Sequence, residues 1–365
     1  MTAKTATTTA APRMAPWVRR LVTDDPIGSL KKLAFRLAVP LGAFIVFLLV
    51  WTAAAHQVVT KYGTLPTPAA VWHEWSLLLE DHRATRVKER EFYAEQAQQI
   101  TQLKRYVQIA EAKASTATTE AVKLEFAAKA ANFAKQAQLA ERRRFSSSPT
   151  YLDQIFTSLK TVFAGFLIAS LTAIPLGILS GMSRTFQLAI SPMIQIFKPV
   201  SPLAWLPIVM IVVGALYRTD PSEAWFEKSF ISSAVTVALC SLWPTLVNTA
   251  IGVNAIDKDH VNVARVLNLD WSTRVRKIVL PSSLPYIFAG LRISLSVGWM
   301  VLIAAEMLAQ NPGLGKFVWD MFQNGSSATL ARIMVAVFTI GIIGFLLDRV
   351  MLLLQSAVSY QGASS

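Results

Sequence analysis

The sequence predicts an all-α fold: a polytopic bundle of about six membrane-spanning helices that carries a helical hairpin outside the membrane. Three observations predict it. Hydrophobic residues make up 53% of the chain and charged residues 16%, with a mean hydropathy of +0.43, whereas soluble domains are roughly a quarter charged. Apolar runs of membrane length recur along the chain. One long charged stretch, Glu80–Arg144, interrupts them and contains neither Pro nor Gly.

The net charge of +13 fits Lys and Arg gathered on cytoplasmic loops. No basic patch interleaved with aromatics lies outside the membrane pattern, so nucleic acid is not an expected partner. The single cysteine, Cys240, excludes an intrachain disulfide and reads as a small buried hydrophobe. His56, His73, His82 and His260 are scattered without metal-ligand spacing. No nucleophile constellation is present, so no catalytic residue, metal or bound cofactor is expected.

Residues 1–36 form a basic N-terminal segment, with Arg13, Arg19, Arg20, Lys31, Lys32 and Arg36 outnumbering Asp24 and Asp25. This flank predicts a cytoplasmic N-terminus. Leu37–Ala55 reads as the first span, too far into the chain for an ordinary signal peptide. The turn Thr64–Pro68 and an amphipathic interfacial piece, Ala69–Leu79 with Trp72 and Trp75, complete a segment over 37–79. Residues 80–148 form the insert. Its composition predicts two antiparallel helices, roughly Arg83–Ala114 and Glu120–Arg143, turning at Ser115–Thr119 and ending at Ser146–Pro149. The other readings are one long solvated helix or a partly disordered insert.

A core over 149–357 follows, with the spans Leu159–Met182, Phe186–Leu216, Phe230–Ile251, Tyr286–Leu308 and Ile333–Leu354, then a tail over 358–365. Pro192, Pro199, Pro202 and Pro207 predict that Phe186–Leu216 is broken, which membranes tolerate only inside protein or beside a cavity. Alternation places the insert and Gln310–Leu330 outside, and the loop over 257–285 and the C-terminus inside.

That inner loop holds the most informative motif, Asn262-Val263-Ala264-Arg265-Val266-Leu267-Asn268, running on to Ile278, Leu280 and Pro281. Asp257 or Asp259 can cap a short helix beginning near His260, and Val263, Val266 and Leu267 share a face at helical spacing. Asp270 or Ser272 can start a second helical turn. Pro281 and Pro285 separate the loop from the next span. Physically the helix is either a docking peg or an amphipathic helix lying on lipid.

The stretch resembles the EAA loop of ABC-importer permeases: Glu-Ala-Ala, three residues, Gly, nine residues, Ile-x-Leu-Pro. Ala264, Ile278, Leu280 and Pro281 match, while Asn262, Val263 and Asn268 stand where the motif has Glu, Ala and Gly. The nitrate/bicarbonate-type permeases, within the sulfonate/taurine/nitrate group, read much like this chain. Leu203–Pro207, Leu284–Arg292, Ala304–Leu308 and Gly344–Arg349 are similar to theirs as well. The resemblance implies the type I importer fold in the bacterial inner membrane and a homodimer with two ATP-binding-cassette subunits or domains. It also implies a solute-binding protein, free in the periplasm or fused to the ATPase. ATP and Mg would sit on the partner. The loop helix would seat in a groove of the ATPase, whose closure drives alternating access. The implied solute is nitrate, with nitrite or cyanate beside it; bicarbonate and an alkylsulfonate such as taurine are the alternatives. The chain has no phosphate loop of its own, since Gly313-Leu314-Gly315-Lys316 has the wrong spacing.

Lys198, Trp205, Pro207, Trp299 and Glu306 are the candidate lining of a translocation path. Each has a plainer reading. Lys198 can snorkel, Glu306 can accept hydrogen bonds from a neighbouring helix, and Trp205, Trp243 and Trp299 can simply pack. Arg292 and Glu306 do not pair, because the helix between them rises roughly 21 Å. Asp348 and Arg349 read as anchors of the last span. Two rivals from other classes are an ion-gradient-driven secondary transporter, which would need matched broken helices in two halves, and a membrane-anchored scaffold built around the hairpin.

Overall fold

A computed structural model describes residues 26–60, 63–218 and 226–361. The chain divides into two units, Met1–Ala70 and Val71–Ser365, described separately. In the first, α1 (Pro26–Gln57) begins well before the expected Leu37, because a Pro at the first helical position needs no N–H partner. Most of the basic segment lies outside the described residues. After α1 the chain reverses through a two-residue antiparallel ladder, β1 (Val59–Thr60) against β2 (Gly63–Thr64). Trp51 Nε1 donates to the Pro66 carbonyl at 3.1 Å and pins the reversal.

In the second unit, α2 (Pro68–Thr116) is one unbroken helix of 49 residues, about 73 Å long. The expected division at residues 79 and 80 has no structural counterpart. Nothing between Ala69 and Thr116 is Pro or Gly, so no residue stops the ladder. Ser115 and Thr116 do not break it either: both hydroxyls bond back to the Ala112 carbonyl. Antiparallel to it runs α3 (Glu120–Arg142). The less exposed positions of the hairpin recur at intervals of three and four, through Phe92, Gln96, Ile100, Leu103, Val107 and Ala110 on α2 and Phe126, Ala130, Phe133, Ala137 and Ala140 on α3. That is a coiled-coil seam. Tyr106 packs on Phe133 (5.5 Å between centroids). Gln96 donates to the carbonyls of Ala140 (2.5 Å) and Arg143 (2.7 Å), satisfying the end of α3.

The root of α2 is fastened to the bundle. Glu74 pairs with Arg332 at 3.0 Å, and His82 Nδ1 lies 2.6 Å from Thr150 Oγ1. Arg86 bonds Asp153 and Glu89, and the hydrogen bond to Glu89 is the largest of the effects raising its pKa. Trp75 stands edge-on to Tyr151, which in turn packs on Phe317 (4.8 Å).

The bundle is centred on α7 (Lys228–Asn254), held between α4 (Tyr151–Met182) and α10 (Leu280–Ala309). Small residues permit the approach: a Cβ on Gly165 would lie 2.6 Å from the Ala234 carbonyl, and one on Gly290 would lie 2.9 Å from the Thr245 backbone. Cys240 on α7 is only half-buried. Thr245 and Ser294 hydroxyls bond across α7 and α10 at 2.7 Å. The last span, α12 (Ser327–Gln361), is tied to α10 by Arg292, which grips Asp348 with two bonds of 2.6 and 3.1 Å. Neither partner was paired from the sequence, since the two residues are far apart along the chain. The expected broken span is present as α5 (Arg184–Phe197) and α6 (Pro202–Leu216), bent by 103°. Among the described residues five helices are long and apolar enough to cross a membrane, or six with the bent pair.

Gly165→Ala should lower the melting temperature of the purified chain in detergent, because overpacking a helix crossing costs about 1–3 kcal/mol. Gly214→Ala, where a Cβ meets nothing within 4 Å, should leave it unchanged.

Candidate functional site

The loop between α7 and α10 is built in three steps. Asp257 Oδ1 accepts the Asp259 N–H (3.0 Å) at the start of α8 (Lys258–Val266). Along α8, Ala264 is 2% exposed, whereas Val263, Val266 and Leu267 are 53%, 81% and 62% exposed. Asn262 is exposed beside them, and the Arg265 side chain lies outside the described residues. The helix ends at Asn268, whose φ of 47° is left-handed, with the Leu269 N–H returning to the Ala264 carbonyl at 3.0 Å. This is a Schellman-type cap. It explains the sequence departure: the position that holds Gly in the resembled motif needs positive φ, and Asn is the residue that tolerates it next best.

Asp270, not Ser272, starts the following turn, accepting from Ser272 N at 3.2 Å. The short helix α9 (Trp271–Arg274) presents Trp271 at 56% exposure. A π-helical turn, Val275–Val279, leads directly into α10, with the Leu280 N–H bonding five residues back to Val275. The expected separation of loop and span at Pro281 and Pro285 is therefore absent. The wider turn takes up the missing N–H of Pro281 without stopping the helix. Ile278 is half-buried and Pro281 exposed. Val279, with half-buried Leu280 and Val275, joins Ile178 of α4 and Val253 of α7 in one apolar cluster. The loop thus has a buried base and an exposed apolar crest.

The candidate path residues fall into two groups. Lys198, Trp205 and Pro207 gather at the α5–α6 bend: Lys198 is exposed at the end of α5, Trp205 is half-buried against Phe197 (5.7 Å), and Pro207 is exposed within α6. Trp299 and Glu306 do not line an opening. Trp299 is 5% exposed and its Nε1 donates to the Ile340 carbonyl at 3.0 Å, joining α10 to α12.

Glu306 is fully buried. Its carboxylate accepts from Ser158 Oγ (2.9 and 2.8 Å) and from the Gly315 N–H (3.0 Å). Ser158 Oγ also accepts the Leu314 N–H at 2.9 Å, so the pair satisfies the N-terminus of α11 (Leu314–Asn324). The sequence reading missed α11. Its signal was the Gly-Leu-Gly-Lys stretch: a Cβ on Gly313 would collide with the Glu306 carboxylate, and one on Gly315 with the Ile303 carbonyl. These glycines serve close packing around a buried acid.

Comparison with known proteins agrees with this architecture. Residues 173–360, over half of the chain, match the family described as "Binding-protein-dependent transport system inner membrane component". The chain belongs to this family. It is similar to the nitrate import permease protein NrtB of Synechococcus elongatus, 38% identical over 196 residues, covering 54% of this chain and 66% of that protein. NrtB of Synechocystis sp. is 38% identical over 205 residues, covering 56% and 69%. The bicarbonate transport system permease protein CmpB of Synechococcus elongatus is 37% identical over 203 residues, covering 55% and 67%. The match thus spans just under two thirds of the first relative. Among solved structures, the inward-facing MetNI methionine ABC transporter is 16% identical with a TM-score of 0.48, covering 57% of this chain and 95% of that one. Membership of the family and the long apolar helices make the chain a multi-pass inner-membrane component of a transport system.

Glu306→Ala would strand the Gly315 N–H and Ser158 hydroxyl inside the bundle, at about 1–3 kcal/mol for each unsatisfied group. Its melting temperature in nanodiscs should fall by several degrees, and Glu306→Gln by less. At the loop, Asn268→Gly should preserve the cap, whereas Asn268→Val should strain it by about 1–2 kcal/mol. Faster hydrogen exchange over residues 258–270 in the Val variant alone is the expected readout.

Proposed function

We propose that the permease imports a small inorganic anion, with nitrate as the favoured solute, by alternating access driven by a separate ATPase. In this reading the N-terminus and the α8 loop face the cytoplasm and the α2–α3 hairpin faces outward. Two copies assemble with two ATP-binding-cassette subunits or domains and receive solute from a binding protein. ATP and Mg belong to the partner; this chain contributes no catalytic group. The broken span with Lys198, Trp205 and Pro207 is the proposed path lining.

One observation carries the coupling role: Val263, Val266, Leu267 and Trp271 form an exposed apolar crest on a polar loop. Burying a side chain of this kind is worth about 1.5–3 kcal/mol, enough for a few such residues to hold a groove-bound peg. Beneath the crest, the cluster of Val279, Ile178 and Val253 connects it to three spans. The helix then runs continuously from Trp271 to Ala309, so a displacement of the crest at Trp271 reaches the far side of the bundle along one helix.

Bicarbonate is the second reading, favoured by the nearly equal identity to the bicarbonate permease CmpB. Uptake into vesicles containing the chain and its co-expressed ATPase separates the two by competition. Uptake that needs no ATP would sink the importer reading in favour of a secondary transporter.

Val266→Asp should cut ATP-driven uptake at least about tenfold while the purified chain keeps its melting temperature, because the side chain is exposed and its loss removes only the docking contact. Normal uptake in that variant would remove the peg from the mechanism.

A further inference from the structure

The α5–α6 bend holds a group of side chains whose polar atoms the bundle leaves unanswered. Phe197 closes α5, and Lys198, Pro199, Val200 and Ser201 lie between it and Pro202 of α6. Trp205 of α6 and Trp243 of α7 both pack on the Phe197 ring, with centroids at 5.7 and 6.3 Å. Each indole nitrogen is buried, and neither has a hydrogen-bond partner among the described residues. A buried indole N–H ordinarily finds an acceptor. The same chain shows this twice, since Trp51 donates to the Pro66 carbonyl and Trp299 to the Ile340 carbonyl. The two orphans therefore pack at the bend of the broken span, and such breaks persist in lipid only inside protein or beside a cavity.

The three groups Trp205, Trp243 and Lys198 are alike in their chemistry. Indole N–H is a donor without acceptor capacity, and so is the Lys ammonium. Lys198 is exposed at the break and belongs to no ion pair among the described residues. A ligand that answers such a set presents acceptors to it and carries negative charge.

We propose that Trp205 and Trp243 are the recognition donors of an oxyanion station at the broken span, with Lys198 supplying the attracting charge. The inference rests on the reading of the chain as an anion permease and adds the residues that recognise the cargo. In the present conformation Phe197 covers both indoles. The donors become available when α5 and α6 part from α7, so the desolvated N–H groups favour whichever state of the cycle admits the anion.

The test uses the full chain labelled with 5-fluorotryptophan in lipid nanodiscs, alone and with its ATPase partner. Trp205→Phe and Trp243→Phe keep an aromatic ring while removing the N–H, and each deletes one fluorine resonance, which assigns the pair. Titration with sodium nitrate or sodium bicarbonate, against sodium chloride at fixed ionic strength, should shift both resonances saturably in at least one of the two preparations. Lys198→Met should raise the midpoint about tenfold, the loss expected for one charge-assisted contact. In ATP-driven uptake, the two Phe variants should raise KM about tenfold at near wild-type maximal rate, a split that a packing defect would not produce. Resonances that ignore both oxyanions, or that move equally with chloride, overturn the station. Wild-type uptake of nitrate or bicarbonate that the Phe variants leave unchanged also overturns it, and spares the permease reading. Wild-type vesicles that take up neither oxyanion overturn both.

Discussion

Lipid offers the backbone no hydrogen-bond partner, and everything in this bundle follows from how closely α4 and α10 can therefore press against α7. With water absent, burial of apolar surface does not favour one helix pairing over another, so the contact must come from shape and from a few hydroxyls. Gly165 and Gly290 let backbones meet where any Cβ would intrude, and the Thr245–Ser294 bond adds a directional tie. The α4–α7–α10 slab is the frame from which the α8 loop, the bent pair and the hairpin are hung.

The frame assigns different physical roles to residues that look alike in sequence. Glu306 and Asp348 are both acids within apolar runs, yet one stitches the N-terminus of α11 to Ser158 and the other clamps Arg292 across two spans. Trp299 and Trp243 both sit mid-span, yet only Trp299 has an acceptor for its N–H. Buried polar atoms with partners hold the fold. Those without partners cluster in part at the bend, where motion would expose them.

The hairpin is rigid in a different way. Its seam repeats every seven residues and its root is tied to Thr150, Asp153, Tyr151 and Arg332. The contacts at that root join α2 to the starts of α4 and α12, so a rotation of those spans would swing the hairpin as a body rather than bend it.

The sequence by itself determined the helical class, the number of spans, the break in Phe186–Leu216 and the apolar face of the α8 loop. These are properties of composition, periodicity and proline, which act over a few residues. Asn268 was legible as a departure from a motif, and its left-handed φ supplied the reason. Only the tertiary structure decided the continuity of the loop with α10, the existence of α11, the Arg292–Asp348 clamp and the burial of Trp299 and Glu306. Those outcomes depend on which distant side chains meet. Arg292 and Asp348 lie 56 residues apart, and Ser158 and Glu306 lie 148 apart. No local pattern encodes such meetings, because the close approach of whole helices, set by glycine and hydroxyl positions on several spans at once, brings the partners together.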